Sequence, residues 1–162
     1  LAVCLCVTTF ALAYSVVAAD NNLFRTGVIK INLNDGEPVI EEHEFLFEPG
    51  MTVEKPFFIE NLSTWDGYYR LYFDNLEGGL ADVLEVEICD GDNVLYAGKA
   101  AELTKANIGA ADDLLKLNER RELTLSFHFP KEAGNEAQNL YLSFDLKADA
   151  VQTKNNPNRL FD

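Results

Sequence analysis

The sequence has few of the residues from which catalytic and covalent sites are usually built. It contains three cysteines and two histidines in 162 residues. Cys4 and Cys6 lie inside an apolar N-terminal run, which leaves Cys89 alone in the rest of the chain. A single cysteine cannot form an internal disulfide, so stability has to come from packing, and we interpret Cys89 as a small, partly buried residue near a strand end. A catalytic Cys–His pairing, a G-x-S-x-G elbow and the two-histidine helix of zinc peptidases are all absent from the sequence.

Basic residues are also scarce. Lysine and arginine total 13 against 27 aspartates and glutamates, which gives a formal net charge of −14. Such an acidic surface repels phosphate backbones, and the sequence shows no basic stripe that could follow one. We therefore expect no nucleic-acid partner.

What the chain does have is an uncharged apolar run over residues 1–19. A secretory signal peptide ends its apolar centre in small residues, and Ala11-Leu12-Ala13 fits that ending, which predicts cleavage between Ala13 and Tyr14. Val17-Ala18-Ala19 is a second, weaker candidate for the cleavage site. A retained membrane anchor is the alternative, because the run approaches the roughly 20 residues that a transmembrane helix needs.

Beyond the run, apolar and polar residues alternate in short segments separated by turn residues, as in half-buried strands. Strands are predicted at residues 27–33, 44–47, 52–60, 68–74, 84–88, 94–97, 121–129 and 140–148. Asp90-Gly91 predicts a hairpin, and an Ala-rich stretch at residues 100–108 predicts the one helix. The pattern indicates an all-β fold: a jelly roll or β-sandwich of two antiparallel sheets with one or two short helices, preceded by an N-terminal signal-peptide helix.

One histidine lies among carboxylates. His43 is flanked by Glu42 and Glu44, and these three side chains are the candidate ligands for zinc or another divalent metal. Adjacent residues rarely converge on one point, so the competing interpretation is a solvated charged turn and no cofactor.

The loop after the third strand has two further features. Asn61-Leu62-Ser63 matches the acceptor pattern for N-glycosylation, which matters in a eukaryotic secretory pathway. Trp65 lies close to several tyrosines in the sequence, and such residues form either a ligand platform or, more often, the packed cover of a sheet face. The aromatic residues concerned are Trp65, Tyr68, Tyr69, Tyr72 and Tyr141.

Several stretches in order resemble the TasA/camelysin family of exported bacterial proteins, which are processed by a dedicated SipW-type signal peptidase. The matching stretches are Ala11-Leu12-Ala13-Tyr14; Asn22, Phe24, Gly27, Ile29 and Ile31; Phe47-Glu48-Pro49-Gly50; Ile59-Glu60-Asn61-Leu62-Ser63; FPKEAGNEAQN at residues 129–139; and Ala148-Asp149-Ala150-Val151-Gln152. The resemblance extends over nearly the whole chain. Residues 15–19 (SVVAA) depart from it, since they are more apolar than the segment usual there, and the chain is shorter than the larger fibre-forming members.

The resemblance implies a jelly-roll domain, export, and a place in the extracellular matrix or on the cell surface of a bacterium. TasA-like members assemble into fibres in which the N-terminal segment of one subunit completes the sheet of the next. Camelysin-like members have been classed as cell-surface metalloendopeptidases. The implied partners are other copies of the chain, the SipW-type peptidase and other matrix proteins.

These expectations divide the chain into a signal-peptide remnant (1–13), an N-terminal arm (14–24), a β-sandwich domain (25–151) and a flexible tail (152–162). The leading hypothesis is an exported structural protein of the cell surface or biofilm matrix that forms fibres by N-terminal strand donation. The alternatives are a camelysin-type metalloendopeptidase and a monomeric surface adhesin or ligand-binding module at Trp65 and Tyr68. The residues assigned to the assembly arm are Tyr14, Val16, Val17, Leu23 and Phe24.

Overall fold

The computed structural model describes residues 31–40, 48–107, 110–134, 137 and 140–161, together with the backbone of residues 14–17. These residues form nine strands and three short 3₁₀ turns. The strands are β1 Tyr14–Val17, β2 Ile31–Leu33, β3 Thr52–Asn61, β4 Gly67–Glu77, β5 Glu85–Asp90, β6 Asn93–Lys99, β7 Ala111–Leu115, β8 Arg120–His128 and β9 Ser143–Gln152. The 3₁₀ turns are Asn34–Gly36, Gly79–Asp82 and Ala100–Glu102.

The strands form two sheets, one in the order β1-β9-β4-β7 and one in the order β2-β3-β8-β5-β6. Every strand pair among the described residues is antiparallel. With β2 set aside, the remaining eight strands pair in a nested manner, as β1 with β9, β3 with β8, β4 with β7 and β5 with β6. This nesting is the winding of a jelly roll. The predicted all-β fold of two antiparallel sheets is confirmed.

The core lies between the two sheets and is filled by alternate residues of the long strands. Phe73 of β4 stacks on Phe127 of β8 with ring centroids 6.1 Å apart, and Phe144 of β9 lies 4.2 Å from Phe73. Burial of an aromatic or aliphatic side chain of this size stabilises the fold by roughly 1.5–3 kcal/mol. The outward residues between them remain polar, which is why the two-residue period could be read from the sequence.

The predicted helix at residues 100–108 is wrong. Only Ala100–Glu102 is helical, as one 3₁₀ turn, and residues 108 and 109 lie outside the described part. Leu103 is fully buried, and its carbonyl accepts a hydrogen bond from the Phe73 N–H at 2.7 Å. Tertiary packing of Leu103 therefore overrides the helix propensity of the Ala-rich stretch.

No strand was predicted at the position of β7, whose Asp112 and Asp113 are poor strand formers. It forms because Ala111 and Leu115 are buried against the core and the whole segment pairs with β4. The predicted hairpin at Asp90-Gly91 is confirmed, with Asp90 paired to Asn93 and Gly91 at a φ of +56°. The predicted strand at residues 44–47 lies outside the described residues.

Across the described part of the chain, none of the helical turns is long and apolar enough to cross a membrane. The signal-peptide remnant predicted at residues 1–13 lies outside that part, so its cleavage before Tyr14 stays a prediction.

Candidate assembly site

The outer edge of the four-stranded sheet is formed by part of the predicted N-terminal arm. Strand β1 pairs with β9 in the antiparallel register Tyr14↔Val151 and Val17↔Ala148. On its other side β9 pairs with β4, so β9 lies between the arm and the body of the sheet. Of the residues assigned to cleavage and to the arm, Ala13, Leu23 and Phe24 lie outside the described residues.

A buried carboxylate lies beside this edge. Asp149 is paired with Val16 on one side and with Arg70 on the other, and its side chain has no exposed surface. It accepts hydrogen bonds from Arg70 Nη2 at 3.0 Å and from the Tyr72 hydroxyl at 2.9 Å, and Lys105 Nζ lies 3.1 Å away. A buried charge is tolerated only when it is paired and hydrogen-bonded, and two cations and a hydroxyl meet that requirement.

Asp149 had no predicted role beyond its place in the stretch Ala148-Asp149-Ala150-Val151-Gln152. The sequence feature that could have identified it is a charged residue inside the apolar stretch Ala148-Asp149-Ala150-Val151, all of which is buried. The partners Arg70 and Lys105 could not be assigned without the β4–β9 register, because they lie 79 and 44 positions away in the chain.

The C-terminal segment, residues 153–161, crosses the outer face of the same sheet. Phe161 lies under the Arg70 guanidinium at 4.6 Å, and the Arg159 guanidinium lies over the Tyr68 ring at 4.7 Å. The buried Asn156 side chain holds the segment in a loop by donating to the Leu160 carbonyl and accepting from the Leu160 N–H. The predicted flexible tail thus begins with the last residue of β9 and continues over the sheet, and its mobility stays a prediction.

The end of the sandwich at which β1 begins is formed by the β3–β4 loop (residues 62–66) and the β7–β8 loop (residues 116–119), and is called the arm-side end. Asn61 organises it. Its side chain is 1% exposed, and its Nδ2 donates to the carbonyls of Trp65 at 2.9 Å and Leu115 at 3.1 Å. Its Oδ1 accepts from the Ser63 N–H at 2.9 Å. Because the amide is buried and its hydrogens are used, Asn61-Leu62-Ser63 does not present a glycosylation acceptor.

The structure separates the aromatic residues that the ligand-platform hypothesis groups together. Trp65 is 48% exposed at the arm-side end, with Lys154 Nζ 4.6 Å from its ring centroid. Tyr69 and Tyr72 are buried, whereas Tyr141 is exposed at the opposite end. Burial raises the pKa of Tyr69 to about 12, against an opposing effect of the nearby Arg121 charge. Most of the set therefore covers or fills the sheet.

Arg121 on β8 joins the strands and the loop of the arm-side end. Its Nη1 lies 2.7 Å from Asp113, and its Nη2 lies 2.7 Å from Glu119 and donates to the Leu114 carbonyl at 2.8 Å. Burial disfavours the ionised form of Glu119, but hydrogen bonds from the Lys116 N–H and from Arg121 outweigh it and lower the pKa of this carboxyl. The charge-assisted contacts hold β7 and the β7–β8 loop together.

Acidification is expected to lower the free energy of unfolding. Hydrogen bonding to Lys147 lowers the pKa of Asp74 below its ordinary value of 3.8. The contacts with Lys116 and Arg121 lower the pKa of Glu119 below its ordinary value of 4.5. The unfolded chain therefore binds protons first, so this stabilisation is complete above the ordinary values and is lost as the pH falls through the folded ones. Urea denaturation between about pH 7 and pH 3 should show the decline, and Glu119→Gln should make it shallower. Identical pH profiles for the two proteins would contradict a contribution from Glu119.

The candidate metal ligands His43, Glu42 and Glu44 lie outside the described residues, so the zinc hypothesis stays a prediction. Among the residues that the structure does describe, no group of three or more His, Cys, Asp or Glu side chains could hold a metal ion. His128 lies on the outer face of the five-stranded sheet, and its Nδ1 is 2.9 Å from the Thr52 hydroxyl.

That outer face forms an open groove of about 910 Å³, lined mainly by carboxylates and hydroxyls. Cys89 lies in it and its thiol donates to Glu87 Oε1 at 3.0 Å. Partial burial and then the Glu87 carboxylate raise the pKa of Cys89 to about 11. The thiol is therefore protonated near neutral pH, which makes it a poor nucleophile.

No protein-family model matches the chain, and no curated protein matches it. Among solved structures, the chain is similar to the ASH/PapD-like domain of human CEP192 (PapD-like domain 7), at a TM-score of 0.44 and 16% identity. The similarity covers 86% of this chain and 83% of that one. A likeness this distant says nothing about what either β1 or the C-terminal segment does.

Proposed function

We propose that this chain is an exported structural protein of a bacterial cell surface or biofilm matrix, and that its subunits assemble by donating the N-terminal strand. The observation that supports the proposal is the pairing of Tyr14–Val17 with β9. The strand belongs to the predicted arm, lies at a sheet edge, and is attached through main-chain pairing to a single strand of the described body. Main-chain hydrogen bonds of this kind provide affinity in strand addition.

The same pairing can be made within one chain or between two. Exchange of an identical element between subunits is a common route to assembly, because the contacts are already satisfactory in the monomer. Residues 18–30, thirteen in number, connect β1 to β2. Fully extended, they reach about 43 Å, so β1 can be placed on a neighbouring subunit without disturbing β2.

Export is supported by the apolar run, with its predicted cleavage site after Ala13, and by the resemblance to the TasA/camelysin family. Cleavage by a SipW-type peptidase before Tyr14 would leave the strand at the new N-terminus, ready for donation. The strongly acidic body is compatible with high solubility outside the cell before assembly.

Removal of the arm tests the proposal. We expect a chain that starts at Tyr14 to form filaments visible by electron microscopy and to sediment as polymer. A chain that starts at Phe24 lacks residues 14–23, and should remain a monomer, because β9 then has no strand to accept from its neighbour. A free peptide of residues 14–24 should bind this shortened chain and still give no polymer. Equal polymerisation of the two chains would contradict the proposal.

The two alternatives stay predictions. A camelysin-type metalloendopeptidase would use His43 and its neighbouring glutamates with a bound divalent metal. An adhesin would use the Trp65 region, where the Trp65 ring is exposed.

A further inference from the structure

Exposed apolar side chains concentrate at the two ends of the sandwich. Within the described part of the chain, eight large apolar side chains are 38–60% exposed. Three of these, the arm-side cluster, lie at the arm-side end: Leu62, Trp65 and Leu117. Another three, the far-end cluster, lie at the opposite end, formed by residues 48–51, 78–82 and 140–142: Met51, Leu140 and Tyr141. Grouped exposed apolar residues mark surfaces that bind other proteins.

The loops that carry the clusters are fixed in place. At the arm-side end, the Leu117 N–H donates to Asp66 Oδ1 at 2.8 Å, which joins the two loops. At the far end, the Leu80 N–H donates to the Tyr141 carbonyl at 3.2 Å, and the Phe129 N–H donates to the Met51 carbonyl at 2.9 Å. Rigid presentation lowers the entropy cost of forming a contact.

The strand directions indicate which ends meet when the arm is donated. In its pairing with β9, β1 runs from the arm-side end towards the far end. β2 begins again at the arm-side end, where Ile31 pairs with Asn61. A donated arm therefore runs towards the far end of the acceptor, and its chain must then reach the arm-side end of the donor.

The length of the connection fits this arrangement. Beyond Ala148, which pairs with Val17, residues 143–147 of β9 extend about 17 Å further towards the far end. Residues 18–30 reach about 43 Å, which leaves about 26 Å to cross to the donor body. A connection of this length allows the donor's arm-side end to lie against the acceptor's far end.

The exposed charged residues at the two ends of the sandwich also favour contact between the arm-side end of one subunit and the far end of the next. Lys116 and Lys154 are exposed beside the arm-side cluster, together with Asp66. Glu48, Glu77 and Asp82 are exposed beside the far-end cluster, together with Lys131. In a chain with a net charge of −14, an end that carries exposed lysines is the end that an acidic surface would accept.

We propose that the two clusters are the two halves of a head-to-tail interface, in which the arm-side cluster of one subunit packs on the far-end cluster of the next copy. The inference rests on the strand donation proposed above. The contact is heterologous, so it continues into a filament rather than closing as a dimer.

Complementary charges test the interface. Leu117→Glu and Tyr141→Lys each place in one cluster a charge of the same sign as the charges beside the facing cluster, and each should raise the critical concentration for assembly about tenfold or more. An equal mixture of the two variants should restore assembly, because lysine of one chain then meets glutamate of the other while the remaining ends are unchanged. Leu160→Lys is the matched control, since Leu160 is 52% exposed outside both clusters and should assemble normally.

The outcomes separate this inference from strand donation. Each variant, shortened to start at Phe24, should still bind the peptide of residues 14–24, which shows that the body is folded and accepts the arm. Wild-type assembly by either single variant would overturn the interface but leave arm donation intact. Two blocked variants that fail to restore each other would also overturn it, because the clusters would then not contact one another. Assembly that does not depend on the arm would overturn both proposals.

Discussion

Replacement of Asp149 by alanine is expected to lower the free energy of unfolding by about 2–4 kcal/mol. The carboxylate is completely buried and holds Arg70, Lys105 and the Tyr72 hydroxyl. Its removal takes away the anion that Arg70 and Lys105 both contact and an acceptor of the Tyr72 hydroxyl. The loss of hydrogen bonds to a buried carboxylate lowers the free energy of unfolding more than the loss of an exposed ion pair, which contributes at most about 1 kcal/mol.

Urea denaturation of the chain that starts at Tyr14, at a protein concentration below the critical concentration for assembly, measures this effect without interference from assembly. The matched control is Asp145→Ala on the same strand, where an exposed carboxylate accepts one hydrogen bond from Asn75 at 2.7 Å. Asp145→Ala should lower the free energy of unfolding by about 0.5 kcal/mol or less. Similar losses for the two variants would show that Asp149 contributes no more than a surface charge. Asp149→Asn keeps the shape and should lie between the two.

The second large effect is expected at Gly78. This glycine has a φ of +100°, and a Cβ at its position would lie 2.0 Å from the Tyr141 carbonyl oxygen. Gly78→Ala must therefore move one of two backbone segments, and the backbone strain adds to the steric cost. We expect a loss of about 3 kcal/mol or more in the free energy of unfolding, measured by urea denaturation.

Gly91→Ala provides the matched control for Gly78→Ala. Gly91 also has a positive φ, of +56°, but a Cβ there would meet no atom within 4 Å. Substitution of Gly91 by alanine should lower the free energy of unfolding by about 1–2 kcal/mol through its positive φ alone. A loss at Gly78 no greater than that at Gly91 would contradict the close approach to Tyr141. Because Tyr141 belongs to the far-end cluster, Gly78→Ala should also impair assembly more than Gly91→Ala does.

Alternation along the chain was sufficient to predict β8, which buries one face. Leu123, Leu125 and Phe127 all point into the core as their spacing requires. Burial of one face imposes a period of two, and that period is a local property of the sequence. The helix predicted after Lys99 was wrong, because the position of Leu103 is set by the distant Phe73.

The candidate site could be predicted only in part. The edge strand Tyr14–Val17 was among the predicted arm residues, since β-branched residues favour extended structure. The ion cluster at Asp149 and the two end clusters could not be found, because each depends on which strands are neighbours. A single sequence contains no direct record of strand order or register.

The nested winding also affects when the edge of β9 becomes occupied by an arm. Tyr14 and Val151 are paired across 137 positions, whereas Cys89 and Val94 of the β5–β6 hairpin are paired across five. Closing a long loop costs more chain entropy than closing a short one, so we expect β1 to dock after the body has folded. A newly folded chain then has an open β9 edge for a period set by the rate of its own closure. Whether that edge receives its own strand or a neighbour's becomes a kinetic competition, in which crowding of chains at the surface favours the neighbour.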